Sequence, residues 1–207
     1  MNSFKTHFRE ASHRFGLGSL TVFDIDDTLF HTTAKIGVLD KEGNPRQLSN
    51  QEFNTYKWQE GDKPDFSEFR DAEKFNKESV PIPSMVNKMI AILNNVVKNP
   101  NSKVIIITAR SDFDNKEVFL DTFRKHGINI DMVYVERAGN LNEPSLNVSE
   151  KKAIIVRKYL DSKKFDKARL YDDAETNLIA FKELKKEYPE VDFYAYLVTD
   201  RGTPTRI

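Results

Sequence analysis

The sequence predicts an α/β fold: a Rossmann-like parallel sheet with helices on both faces and a small inserted cap. Three observations carry that expectation. Short runs rich in Val and Ile recur along the chain, amphipathic helical patterns alternate with them, and one aromatic-rich stretch interrupts the alternation. Strands that read as nearly continuous apolar runs are buried on both faces, the condition of a parallel sheet sandwiched between helices.

The elements follow in order. Residues 1–15, MNSFKTHFREASHRF, are charged throughout, with Phe4, Phe8, Ala11 and Phe15 at helical spacing. They lack the apolar core of a signal peptide. The first strand is SLTVFDI, from Ser19 to Ile25. Residues 31–80 then break the rhythm. KIGVLDKEGNPRQL reads as a hairpin turning at Glu42, Gly43 and Asn44, and Ser49 followed by Glu52 has the spacing of a capping box. Phe53, Tyr56, Trp58, Phe66, Phe69 and Phe75 make this stretch unusually aromatic. Such density reads as a minicore gluing the insertion to the main domain, with a substrate-stacking surface as the alternative. Pro81-Ile82-Pro83 closes the insertion, so the expected division is a core domain of residues 1–30 and 81–207 and a cap of residues 31–80.

Beyond the insertion the alternation resumes. Met85, Met89, Ile92 and Val96 mark a helix, and KVIIIT, from Lys103 to Thr108, is the second strand. Val118 to Phe123 is helical and stops at Gly127, where a left-handed residue ends a helix without steric strain. DMVYV, from Asp131 to Val135, is the third strand; a helix over Ala153 to Leu160 leads to ARLYDD, from Ala168 to Asp173. A last helix over Leu178 to Leu184 precedes DFYAYLV, the closing strand.

With 207 residues the chain is long enough for one domain carrying a sizeable insertion. Lys plus Arg equals Asp plus Glu at 32 each, so no global charge advertises a polyanion or a membrane surface as partner. The absence of cysteine removes disulfides, thiol nucleophiles and thiolate metal sites, and suits a reducing compartment. No apolar run approaches the roughly 20 residues of a membrane span. A cytoplasmic location is the expectation.

Function is to be sought where the strands end, because ligands of open α/β sheets sit beyond the carboxyl ends of the strands. VFDIDDTLF places Asp24, Asp26 and Asp27 at the lip of the core, with Thr28 behind them. At about 5 Å and an effective dielectric near 20, two such charges repel by roughly 3 kcal/mol, so the cluster asks for a cation. The i, i+2 spacing points Asp24 and Asp26 to one side, and Asp27 to the other, as a loop or cap residue. The second strand ends in Thr108 and, two residues on, Arg110; the fourth ends in Asp172 and Asp173. Four carboxylates from two strands converging on one crevice suit Mg²⁺, a hard cation that takes oxygen ligands. His31 reads as a cap-hinge residue, and no histidine cluster suggests zinc. Arg110 either reaches substrate or serves an ion pair.

These stretches resemble the haloacid dehalogenase-like (HAD) superfamily of phosphohydrolases. DIDDT is similar to its first motif, Asp-x-Asp-x-Thr; IIIT to its second; YDDAETN to its fourth, paired acids after an apolar strand. The third, a Lys opening a helix, falls in SEKKAIIV, at Lys152 or its neighbour Lys151. The resemblance spans Thr21 to Asn177 and leaves out residues 1–18 and the tail from Thr199. It implies a Mg²⁺-dependent phosphatase in which Asp24 is the nucleophile and forms an aspartyl-phosphate, and Asp26 is general acid and then base. It further implies metal binding by Asp24, the backbone carbonyl of Asp26, and Asp172 and Asp173, with Thr108 and Lys152 on the phosphoryl oxygens. A phosphotransferase, or a non-catalytic phosphate-binding or assembly module of the same fold, stays open as an alternative.

The implied partner is a phosphorylated small molecule or a nucleotide. A weaker resemblance, to the 3'-phosphatase domain of phage-type polynucleotide kinases, lies in ITAR and in DFSEFRDAEKFNKESVPIPSMVNKM, and implies nucleic-acid phosphate ends as a further alternative. Neither a P-loop nor a basic stripe in the sequence accompanies it. No membrane partner is indicated.

Overall fold

The computed structural model describes residues 17–207; the helical spacing of Phe4, Phe8, Ala11 and Phe15 lies outside them. In chain order the strands are β1 (Gly18–Phe23), β2 (Phe30–His31), β3 (Ile36–Leu39), β4 (Pro45–Leu48), β5 (Lys63–Asp65), β6 (Val80–Pro81), β7 (Lys103–Thr108), β8 (Tyr134–Arg137), β9 (Phe165–Asp172), β10 (Asp192–Val198) and β11 (Pro204–Arg206). The helices are α1 (Asn50–Thr55), α2 (Ala72–Glu78), α3 (Pro83–Lys98), α4 (Lys116–Arg124), α5 (Val148–Leu160) and α6 (Glu175–Glu183).

The main sheet has six strands in the order β11-β10-β9-β1-β7-β8. All neighbours are parallel except β10 and β11. Alternation along each strand sorts the side chains onto two buried faces. Phe23, Val104, Ile106 and Tyr171 face one core, which Met85 and Met89 of α3 and Phe119 and Phe123 of α4 complete. Leu20, Val22, Ile105, Ile107, Ala168 and Leu170 face the other, against Ile155 and Val156 of α5 and Leu178 and Phe181 of α6. Burying side chains of this size contributes about 1.5–3 kcal/mol each, which is why the strands read as unbroken apolar runs. The fold is therefore the expected Rossmann-like α/β architecture, with helices on both faces.

Several details differ from the sequence reading. β1 ends at Phe23, before Asp24. Within DMVYV, residues Ile130–Met132 form a single 3₁₀ turn, so β8 starts at Tyr134 and runs to Arg137. The tail beyond Thr199 is not featureless: it reverses at Gly202 (φ 71°) and returns as the antiparallel edge strand β11. A Cβ at Gly202 would sit 2.3 Å from the Ile82 side chain, so this turn needs glycine on both counts.

Inside residues 31–80, β3 and β4 form the expected hairpin, with Gly43 at φ 86° in its turn. β5 adds an unforeseen third strand on the other edge of β3. The Ser49/Glu52 capping box is present at the start of α1. The aromatic residues divide in two. Phe75 joins the main core, and Phe69 packs with Ala34, Ile36 and Phe53 in a small separate cluster. Trp58 and Phe66 remain exposed, in edge-to-face contact with Phe53. Entry and exit of the segment are clamped by the pairing of β2 with β6, Phe30 opposite Pro81 and His31 opposite Val80. No helix among the described residues is long and apolar enough to cross a membrane.

Candidate active site

Asp24 follows β1 directly, and its N–H still donates to the Tyr171 carbonyl of β9 at 3.0 Å. The strand register thus places Asp24 beside Asp172, the last residue of β9, with both on the α5 and α6 side of the sheet. α5 is started by a capping box between Asn147 and Glu150, which fixes its first turns. From there the buried Lys152 reaches under both carboxylates: Nζ donates to Asp24 Oδ1 and to Asp172 Oδ2, each at 2.8 Å. The other Asp172 oxygen accepts from the Ala174 N–H at 2.9 Å and from Asn177 Nδ2 at 2.8 Å. Asp173 completes the group, with one carboxylate oxygen of each of Asp24, Asp172 and Asp173 lying within 4.8 Å of the others.

Three carboxylates face one ammonium, and the electrostatics register the excess. Burial raises the Asp24 carboxyl well above its ordinary range; Lys152 opposes this, while Asp172, Asp173 and Asp26 add to it. Asp173 is pushed up to about 7 by desolvation and then by the charge of Asp172. Asp173 itself is exposed, so the repulsion between the neighbouring acids acts on it at the rim of the cluster. Burial works against the charge of Lys152, yet Asp172 and Asp24 hold its pKa above the usual lysine value. Hard oxygen donors, close together and under-neutralised, fit Mg²⁺.

A second ion pair lies on the opposite side of the same strand ends. Arg110 is buried, and its Nε and Nη2 donate to Asp26 Oδ2 at 2.9 Å and Oδ1 at 2.6 Å. Its Nη1 donates to the Phe69 carbonyl at 3.1 Å, and its guanidinium lies 4.6 Å from the Phe69 ring centroid. The Thr32 hydroxyl donates to Asp26 Oδ1 at 2.7 Å. Although burial works to raise it, Arg110 holds the Asp26 carboxyl below the ordinary carboxylate range.

The expectation that Asp24 and Asp26 point to one side is corrected here. β1 ends before them, so i, i+2 alternation does not extend to Asp26, whose side chain takes Arg110 while that of Asp24 takes Lys152. The acidic cluster is accordingly Asp24, Asp172 and Asp173, without the Asp26 carboxylate. Between the two candidate lysines, the buried Lys152 enters the site and the half-buried Lys151 does not. Thr108 is fully buried at the end of β7, its hydroxyl accepting from the Arg110 N–H at 3.1 Å. Asp27 adopts a left-handed backbone (φ 54°) and contacts His31 Nδ1 at 3.1 Å, outside the cluster. Asn177 and Thr32 escaped the sequence reading. Asn177 stands in the quoted YDDAETN and becomes notable only when buried beside Asp172; nothing in the sequence marks Thr32.

Among solved structures the chain is similar to the HAD domain of the effector protein Lem4 from Legionella pneumophila, at 13% identity, over 87% of this chain and 85% of that one, with a TM-score of 0.49. No protein-family model and no curated protein matches the chain. At that TM-score and identity the likeness assigns no activity to this molecule.

Proposed function

We propose that the chain is a Mg²⁺-dependent phosphomonoester hydrolase with Asp24 as its nucleophile and residues 31–80 as its cap. One observation carries this reading: Asp24 is fixed through Oδ1 by Lys152 at the mouth of a three-carboxylate cluster, with no hydrogen bond to Oδ2 among the described residues. Asp24, Asp172, Asp173 and the Asp26 carbonyl would hold the metal, which supplies positive charge to offset the phosphate and the acids around it.

The chain's own groups then divide the work. Lys152 keeps Asp24 ionised and oriented; two of its three N–H donors are engaged, and the third serves a phosphoryl oxygen, with Thr108 as its partner. Attack forms the Asp24 O–P bond as the ester P–O bond breaks, and the departing alkoxide takes up a proton from solvent water. A water oxygen then bonds to phosphorus, the Asp24 O–P bond breaks, and the proton of that water passes to Asp26. Paired with Arg110, Asp26 is a carboxylate, so it enters as the base of this second step. Protonating a leaving oxygen first requires Arg110 to release it. Esters of acidic alcohols, such as aryl phosphates, leave without that proton and are the better substrates.

The test is phosphate release from aryl phosphate, sugar phosphates, nucleoside 3'- and 5'-monophosphates and terminally phosphorylated oligonucleotides, with Mg²⁺ or chelator. Turnover that needs Mg²⁺ and disappears in Asp24→Asn supports the reading. Chelator-resistant turnover, or turnover retained by Asp24→Asn, overturns it.

A further inference from the structure

The face of the sheet that carries α3 and α4 continues past them across β9, β10 and β11. Strand register lines up two rows of side chains there. Phe23, Tyr171 and Tyr196 stand opposite one another, rings stacked at 4.8 and 4.7 Å and within 11° of parallel, with Arg206 opposite Tyr196 on β11. In the next row Arg169 stands opposite Tyr194, whose ring lies between two guanidinium groups, Arg169 at 5.9 Å and Arg206 at 4.6 Å. Lys88, from α3, is 5.9 Å from the Tyr171 ring. Arg206 is exposed, and Lys88, Arg169, Tyr194 and Tyr196 are half-buried.

Arg110, Arg124, Arg137 and Arg157 are each spent on carboxylates. Lys88, Arg169 and Arg206 have no carboxylate partner among the described residues. The only acid in register on this part of the face, Asp192, lies within 3.7 Å of Lys185. The opposite side of β10 is closed by α6, through the Phe181 and Phe193 rings at 5.1 Å.

We propose that this β9-β10-β11 face binds single-stranded nucleic acid. The chemistry favours that occupant. Guanidinium groups spaced by tyrosines offer cations for phosphates and planar surfaces on which unpaired bases stack. A membrane is disfavoured because the row presents Tyr, Arg and Lys, with no exposed aliphatic side chain to insert. The binding does not depend on the phosphatase reading.

The experiment is fluorescence anisotropy of a labelled single-stranded oligonucleotide, DNA and RNA in separate series, titrated with the full chain in chelator across a range of salt. With three cations engaged, log K falls against log salt with a slope of about −2, at roughly 0.7 per phosphate neutralised. The double variant Arg169→Gln/Arg206→Gln lowers that slope by about 1.4 and weakens binding roughly tenfold or more. Its melting temperature is checked against wild type; should it unfold, Lys88→Gln on α3 carries the same test with half the expected loss of slope. Absence of salt-dependent binding by the wild type, or equal binding by a folded variant, overturns the proposal. So does tighter association with phosphatidylserine vesicles than with either oligonucleotide. Aryl phosphate turnover is measured beside these: its failure bears on hydrolysis and leaves the binding result standing.

Discussion

Two buried cations sit at the same strand ends, on opposite sides of the sheet, and they are satisfied in opposite ways. Arg110 faces one carboxylate, Asp26; its Nη1 donates to the Phe69 carbonyl, and its guanidinium lies against the rings of Phe69, Phe75 and Phe113. Lys152 faces Asp24 and Asp172, with Asp173 close by. Arg110 lowers its acid, whereas Asp24 and Asp173 stay raised despite Lys152. A matched pair holds shape; a mismatched cluster holds unfilled demand for charge. The difference favours the Lys152 side as the proposed metal site, while Arg110 holds Asp26 as a carboxylate and ties residues 31–80 to the strand ends through the Phe69 carbonyl.

The comparison breaks most visibly at Asp24. Asp24→Asn keeps the shape and one hydrogen-bond acceptor for Lys152 but removes the proposed nucleophile, and kcat is expected to fall about 10⁴-fold or more in steady-state phosphate release. Activity within tenfold of wild type would place the chemistry elsewhere. Next in size are Arg110→Met and Lys152→Met. Each leaves buried carboxylate without its cation, a loss of about 3–5 kcal/mol. At about 2–4 °C per kcal/mol this lowers Tm by roughly 6–20 °C in thermal unfolding. The two variants separate on adding Mg²⁺, which restores part of the loss in Lys152→Met and nothing in Arg110→Met. Equal rescue of both would erase the distinction between the Arg110 side and the proposed metal site.

The acidity of the cluster sharpens the same contrast. Asp24 and Asp173 have raised folded-state pKa values, Asp173 at about 7. Between about pH 4 and pH 7 the folded chain therefore holds more protons than the unfolded one, and metal-free stability falls as pH rises. Mg²⁺ competes with those protons. At a hundred times its Kd it adds about 2.7 kcal/mol, or roughly 5–11 °C of Tm, at pH 7.5, and clearly less at pH 5. Asp26 has the opposite sign: its lowered pKa gives stability that is present above about pH 4 and is lost as pH falls below it. Tm measured from pH 3 to pH 8 with and without Mg²⁺ reads both. An Mg²⁺ effect that is flat with pH would contradict the assignment of the raised acids to a metal site.

Much of this was legible in the sequence, and the gaps have physical causes. Lys103–Thr108 forms a strand over the very residues expected, because a doubly buried strand must be apolar throughout; Asp192–Val198 also matches, with its α6-facing side closed and its other side half-buried. The acids were legible because three charges crowded at the end of a buried run repel one another and each needs a cation or other partner. Their partition was not: which cation each carboxylate meets depends on where β1 ends and on residues 84 and 128 positions away. β5 and β11 are short edge strands, stabilised by one neighbour each, so they need little apolar signal. The tyrosine and arginine face escaped for a related reason. Its cations come from α3, β9 and β11, far apart along the chain, so a neutral sequence without a basic stripe still folds into a cationic patch.

The smallest expected effect tests how firmly the Arg110 side is closed. Thr32 contributes a single hydrogen bond to Asp26, from a half-buried hydroxyl at 2.7 Å. Thr32→Val removes it at nearly constant volume, with an expected loss of about 1 kcal/mol, or about 2–4 °C of Tm at pH 7. That hydrogen bond favours the ionised acid, so its removal raises the Asp26 pKa and moves the acid limb of the kcat/KM profile to higher pH. A profile that stays in place while Tm falls would mean that Arg110 alone fixes the charge of Asp26, and that Thr32 only ties the start of the inserted segment to the strand end. A profile that moves makes Thr32 a positioning residue, and makes the first residues of the insertion part of how this site sets its working pH.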